Sequence, residues 1–552
     1  MTSRFLALFC FLTVSCSPVE RTLDQSNLTL RSPSVIKSHM AFLADDALEG
    51  RGIATRGEEL AALYIATEFA KLELEHGAGD SFIQPVPLRA TKIDLQHTVF
   101  EVEGDGQRMS FRNGDDIVIY GDDKRPIVNI KGDLVFAGHG IDAPELGMSD
   151  YDNLDVSGKI AVVLGGPPSF LPAAEAAHFG RSLEKQKAAA RHGAIGVVRI
   201  YTPEQDAWFP FVNFRQFMES STFSWRESAK ENQVDQSSIP TFRLNVNSSK
   251  GLFSKAERTV DEVIEEGRSG AVKGFPLHNK ASLHLVSTHD DALSSGNVAG
   301  LLEGSDPLLK EEVVVVTAHY DHVGICRPES VKDRICNGAI DNAFGVAAML
   351  DVARQLSQSD QRPKRSILFL AVGAEEEGLL GSSYFVNHPT ISQDKIIANI
   401  NMDGGLPFYD FSDVIAFGGE QSEMGDWLAK AITPMGLSVA SDPFPEESLF
   451  TRSDQYSFVK KGIPALFLYN GFSNLEGENV GREVWDDITS NHYHSPSDDL
   501  HLPIDYTVAA KYAEVFKRLL LETANAPARP LWYQDSVFGK RFAPDAPKTK
   551  KK

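Results

Sequence analysis

Four short runs in the second half of the chain, VVVVTA, SILFLAVGA, IIANINM and PALFLY, are apolar almost without interruption and rich in β-branched residues. Successive side chains of a strand point to opposite faces, so such a run is stable only where both faces are covered. Helical patterns such as DNAFGVAAMLDVARQLS separate the runs, and from about Lys280 strand and helix alternate. That pattern predicts an α/β fold with a mixed central sheet flanked by helices. Sheets of this kind bind ligands beyond the carboxyl ends of their strands.

Residues able to bind metal stand at those ends. His319, Glu376 and Asp403 fall at or just past a run, and Asp341 and His494 lie in turns. Singly each has a plainer reading: Asp341 could cap the helix after it, and Glu375–Glu377 could be a solvated charge run. Together, two imidazoles and three carboxylates suit a pair of zinc ions sharing one bridging carboxylate. Glu375, beside one of them, is left free to handle a proton, which predicts a hydrolase.

The rest of the chain sets the frame. At 552 residues it needs more than one domain. A formal net charge of −22 argues against a nucleic-acid partner. Residues 1–16 read as a signal peptide with an apolar core from Phe5 to Val14, too short to span a bilayer. Ser15-Cys16 resembles a bacterial lipobox, although Thr13 stands where Leu is usual. Lipidation at Cys16 and anchoring in the periplasm or outer membrane are therefore expected, with cleavage and secretion as the alternative. Residues 17–31 read as a tether, and the Pro-rich segment 526–552 as a disordered tail. Cys326 and Cys336, in a polar loop of an exported chain, predict a disulfide; thiolate ligation and free thiols are the competing readings. An aromatic-rich stretch, DAWFPFVNFRQFMESSTFSW, has the character of a lid.

The motifs HYD, GAIDN, EEEGLLGS, the Asp of NMDGG and the late YH occur here in the order found in co-catalytic zinc aminopeptidases. The chain resembles that family, whose relatives include glutamate carboxypeptidase and the transferrin receptor. The segment KGDLVFAGHGIDAPELGMSDYDNLDVSGKIAVVLGGPP is similar to the protease-associated domain inserted in many members. The resemblance implies a zinc exopeptidase fold over residues 32–115 and 281–525, with a β-rich protease-associated domain over 116–280. It implies one zinc on His319 and Asp403, a second on Glu376 and His494, and Asp341 as the bridge. Asp321 would orient His319, Glu375 would be the general base, and Tyr493 would stabilise the oxyanion.

What these residues predict is an exported enzyme that hydrolyses the N-termini of peptides. A glutamate-carboxypeptidase-like hydrolase is the alternative and would need arginines around an acidic substrate, for which Arg452 is the available candidate. A single-zinc glutaminyl cyclase shares the fold but not the GAIDN motif. A non-catalytic receptor should have lost ligands. His322 reads as standing behind the ligands, and His492 has no assigned role. Gln455 stands where the family often has His after Ser-Asp, which bears on specificity.

Overall fold

The computed structural model describes residues 32–551 apart from 105–106, 167, 227–237, 445–446 and 448. The expected signal peptide, Cys16 and the tether lie outside the described residues. No helix among the described residues is long and apolar enough to cross a membrane.

Each of the apolar runs is a strand. Val313–His319, Ser366–Val372, Ile396–Asn401 and Ala465–Asn470 are buried at every position. They pair in parallel in the order 366–372, 313–319, 396–401, 465–470. Ser294–Leu302 joins one side antiparallel and Asp413–Phe417 the other, so the sheet is mixed. One face packs on the helices Ser32–Leu43, Arg56–Lys71, Phe344–Ser357, Met424–Ile432 and Tyr506–Asn525, through Ile36, Phe69, Met349, Leu428 and Phe516. The other packs on Phe385, Phe450, Tyr456, Phe458 and Phe538. Apolar burial on both faces drives this layering, at about 25 cal/mol per Å².

A second sheet forms the inserted β-rich unit. Its centre is the long strand Phe275–Asp290, paired antiparallel with Ile127–Phe136 and with Val99–Gly104. Ile160–Leu164, Gly196–Tyr201 and Thr241–Asn245 extend it in parallel. The buried cluster of this unit includes Ile93, Phe100, Val102, Leu283 and Leu285. Its edges therefore lie outside the 116–280 limits expected from the sequence. Cross-strand hydrogen bonding decides this, because Val99–His284 pairing carries residues upstream of Asp116 into the same sheet. The strands Ile83–Ile93 and Phe275–Asp290 also pair with each other at Ile93–Ser287, and the first continues into the peptidase-side sheet against Ser294–Val298.

The expectation of a disordered tail from residue 526 does not hold. Trp532 and Phe538 are buried, the helix Val537–Phe542 packs against His178 of the inserted unit, and Trp532 donates its indole N–H to the Gly462 carbonyl at 2.9 Å. Proline content misled here, since the two aromatic side chains fill gaps in a core that already exists.

Candidate active site

The carboxyl ends of the parallel strands converge on one polar cluster. His319 ends its strand, Glu375 and Glu376 follow Val372 in a tight turn, and Asp403 follows Asn401. Asp341 lies between Gly338, which adopts a positive φ of 60°, and the helix from Phe344. A Cβ on Gly338 would meet the Asp341 carbonyl at 2.1 Å, so the turn tolerates only glycine. Asp341–Asn342 is a cis peptide bond.

His319 Nε2 lies 3.0 Å from Asp403 Oδ1 and 3.2 Å from Asp341 Oδ1. His494 Nε2 lies 3.0 Å from Glu376 Oε2 and 3.4 Å from Asp341 Oδ2. The structure thus brings all five expected ligands together, and Asp341 turns one oxygen to each imidazole. Two groups could hold a cation: His319, Asp341 and Asp403, and His322, Asp341, Glu376 and His494, with donor atoms in each group within 4.8 Å of one another. His322 joins the second group because its Nδ1 is 2.7 Å from Glu376 Oε1. It can donate to that carboxylate or offer a nitrogen itself. His492 points elsewhere, with Nδ1 3.0 Å from the Ser497 carbonyl.

The donor set fits a metal pair. Although burial opposes it, the surrounding carboxylates, Asp403 and Glu375 foremost, raise His319 well above its usual value. His494 is pushed to about 10, burial again opposing and Glu376 raising it. Partial enclosure of Asp341 disfavours its charge, yet His319 and His494 hold it well below the ordinary range. In the metal-free protein the imidazoles thus keep protons that a cation would displace, as metal sites require. His494 Nε2 and His322 Nε2 are buried without a well-formed hydrogen bond among the described residues.

Glu375 is partly enclosed and flanked by Asp403 and Glu376, and it is raised well above the usual carboxylate range, loss of hydration being the largest cause. Tyr493 stacks on His494, ring centroids 3.9 Å apart, and is half-exposed. Partial enclosure, with Asp341 and Glu376 nearby, pushes its phenol well above its usual value and keeps it a donor.

Asp321 does something the sequence did not foretell. Its carboxylate accepts the backbone N–H of Glu375 at 3.0 Å and of Glu376 at 3.2 Å. Toward His319 it turns its carbonyl, 3.2 Å from Nδ1, with the carboxylate farther off at 3.8 Å. Two further residues escaped the sequence reading. Asp498 accepts the backbone N–H of Ile340 at 2.9 Å and of Asp341 at 3.1 Å. Arg51, wholly buried, donates to the carbonyls of Tyr320, Asn337 and Gly338, at 2.7, 2.6 and 3.0 Å, and to that of Leu43. No local pattern marks an arginine that acts on backbone almost 300 residues away; a charged residue beside Gly50 and Gly52 was the sole hint.

The cluster opens into a cavity of about 500 Å³. Ile340, Leu449, Phe467, Tyr469, Trp485 and Ile488 give it apolar walls. Arg452 at its edge lies 3.8 Å from Glu447. Trp208, from the aromatic-rich stretch, also lines it and is 76% exposed, so the inserted unit reaches the mouth. Gln455 faces inward, bonding Asn401 at 2.9 Å and the Phe450 carbonyl at 2.8 Å.

Residues 297–520 match the model of peptidase family M28. The chain carries an M28 peptidase domain. It is 26% identical over 394 residues to the probable lipoprotein aminopeptidase LpqL of Mycobacterium tuberculosis, covering 68% of this chain and 64% of that one. It is 36% identical over 114 residues to aminopeptidase YwaD of Bacillus subtilis, 20% of this chain and 22% of that one. A vacuolar membrane protease of Candida dubliniensis is 28% identical over 221 residues, 39% of this chain but 22% of the relative's own length. Among solved structures, the aminopeptidase from Aneurinibacillus sp. strain AM-1 aligns with 91% of this chain and 96% of its own, at 18% identity and a TM-score of 0.49.

Proposed function

We propose that the chain is an exopeptidase that removes N-terminal residues from peptides, using two zinc ions held by His319, Asp341 and Asp403 and by Asp341, Glu376 and His494. The observation that carries this reading is the pair of donor groups sharing Asp341, with Glu375 adjacent and an apolar cavity in front. Its relatives named as aminopeptidases support the same reading.

When bound, the metal pair provides Lewis acidity, polarising the scissile carbonyl and acidifying the attacking water. Glu375 takes the proton of that water and passes it to the leaving amine. Tyr493, a neutral phenol, donates to the oxygen on which negative charge develops. The apolar walls take the side chain of the residue being removed and keep water from it, while the carboxylates around the cluster favour a free ammonium over a carboxylate. That charge pattern disfavours the glutamate-carboxypeptidase alternative, as does the pairing of Arg452 with Glu447.

The disulfide between Cys326 and Cys336, with Cα atoms 5.8 Å apart, supports export to an oxidising compartment. The inserted unit would act as a protease-associated domain at the mouth of the site.

A panel of aminoacyl and carboxy-terminal chromogenic substrates, read with metal analysis, tests the proposal. Turnover of aminoacyl substrates, lost on chelation and restored by zinc at two ions per chain, is expected. Cleavage restricted to carboxy-terminal substrates, or turnover that survives chelation, would refute it.

A further inference from the structure

The inserted unit holds a second polar cavity, far smaller than the first, at about 120 Å³. Gly165, Arg199, Ile200, Tyr201, Gln205 and Arg243 line it. Arg199 and Arg243 are register partners on the neighbouring parallel strands Gly196–Tyr201 and Thr241–Asn245, so their side chains leave the same face side by side. Their neighbours Val198, Ile200, Phe242 and Leu244 face the opposite way, into the apolar core.

Two guanidiniums placed together need counter-charge, and the described residues provide none. Neither arginine makes an ion pair or a side-chain hydrogen bond to a described residue, in a chain whose net charge is −22. Arg199 Nε is cut off from solvent and has no partner among the described residues. The Arg243 guanidinium carbon lies over Phe214, 4.3 Å from the ring centroid, a contact that does not neutralise its charge. Burial, and then Arg243, push Arg199 down to about 9. Burial first, and the Arg199 charge as well, weaken the hold of the fully buried Lys185 on its proton.

Such a pair is costly when empty, since an unpaired, partly enclosed charge loses part of its hydration and gains nothing. Planar forks of this kind match the oxygens of carboxylate, phosphate or sulfate, two bonds at a time. Gln205 closes the cavity beside the Gly165–Gly166 turn; its Oε1 accepts the Thr202 N–H at 3.2 Å, and its amide nitrogen remains for a further acceptor.

We propose that Arg199 and Arg243 form a binding site for a small oxyanion, free or at the carboxylate terminus of a peptide, separate from the metal cluster. The site is independent of the peptidase reading, since no residue of one belongs to the other.

The test titrates the full-length, metal-loaded protein with inorganic phosphate and follows its thermal midpoint against sodium chloride of equal ionic strength. An Arg199→Met/Arg243→Met double variant serves as the comparison, because it keeps the metal cluster and feels the same general salt effects. The wild type is expected to show a saturable rise whose midpoint in the variant moves to at least tenfold higher phosphate. Acetate, and a short peptide with a free or an amidated carboxyl terminus, separate a free anion from a peptide end. Superimposable curves for the two proteins in every arm would overturn the proposal. Should the variant not fold, crystals of the wild type soaked in selenate decide: an anomalous peak between the guanidiniums supports the site, and its absence at saturating selenate rejects it.

Discussion

The Asp321 carboxylate holds the backbone N–H of Glu375 at 3.0 Å, and that of Glu376 at 3.2 Å with its other oxygen. One side chain thereby sets the turn that carries both the proposed base and a proposed ligand. Asp321→Asn keeps the size but turns one oxygen into a donor facing an N–H. We expect zinc affinity to fall roughly 10- to 100-fold, with turnover recovered at high zinc. Equilibrium dialysis and activity titrated against zinc measure this, and wild-type affinity in the variant would exclude the positioning role.

Glu375→Gln separates base from ligand. Metal content should stay that of the wild type while kcat falls by at least about 100-fold, because the amide cannot accept the proton. Steady-state kinetics together with metal analysis provide the check. Unchanged turnover would remove Glu375 from the mechanism.

Arg51 ties the loop after His319 to the loop before Asp341 through backbone carbonyls alone. Arg51→Met removes the guanidinium from the Tyr320 and Asn337 carbonyls, at about 1–3 kcal/mol each, while the Gly338 carbonyl keeps the Ala343 N–H at 3.1 Å. A stability loss of roughly 3 kcal/mol or more is expected in urea denaturation, accompanied by weaker zinc retention. A variant as stable as the wild type would mean that water replaces the guanidinium.

Lys185 provides a pH prediction remote from the metal cluster. It is fully buried, donates to the His139 carbonyl at 2.5 Å, and burial lowers it from 10.5 to about 7. Between those values the unfolded chain binds the proton and the folded chain does not, so stability rises with pH across that window. The penalty is absent above about 10.5 and complete below about 7, and the span corresponds to roughly 3–5 kcal/mol. Lys185→Met should flatten this slope in urea midpoints measured from pH 7 to 10. An equal slope in both proteins would assign it to other groups.

Joining Cys326 to Cys336 closes a short loop between His319 and Asp341. The loop is also held by backbone bonds from Cys336 to Gly324 and from Cys326 to Arg334. Replacing both cysteines with alanine should cost about 2–3 kcal/mol while leaving the fold intact. A lowered melting midpoint with unchanged circular dichroism is the expected record.

The sheet and the five clustered residues were legible because both rest on short-range signals. A strand covered on two faces is apolar along most of its length, as Val313–Val316 and Ile367–Val372 are, and His319, Glu376 and Asp403 stand where such strands end. The disordered-tail expectation failed because proline content reports local stiffness, while Trp532 and Phe538 are ordered by a core assembled from other parts of the chain. The limits of the inserted unit were missed for a related reason, since Phe100 joins it by pairing with Leu283, far along the chain.

Fold class, the order of the motifs and the identities of the clustered residues were thus decided by the sequence alone, because periodicity and residue chemistry are local properties. Tertiary structure alone decided which oxygen of Asp341 meets which imidazole, that Asp321 grips the Glu375 turn, and that Arg51 clasps two loops. It also brought Trp208 to the mouth of the cavity and set Arg199 beside Arg243 without a described counter-charge. Each of these depends on distances between residues far apart in the chain, which packing and strand register determine and no local pattern encodes.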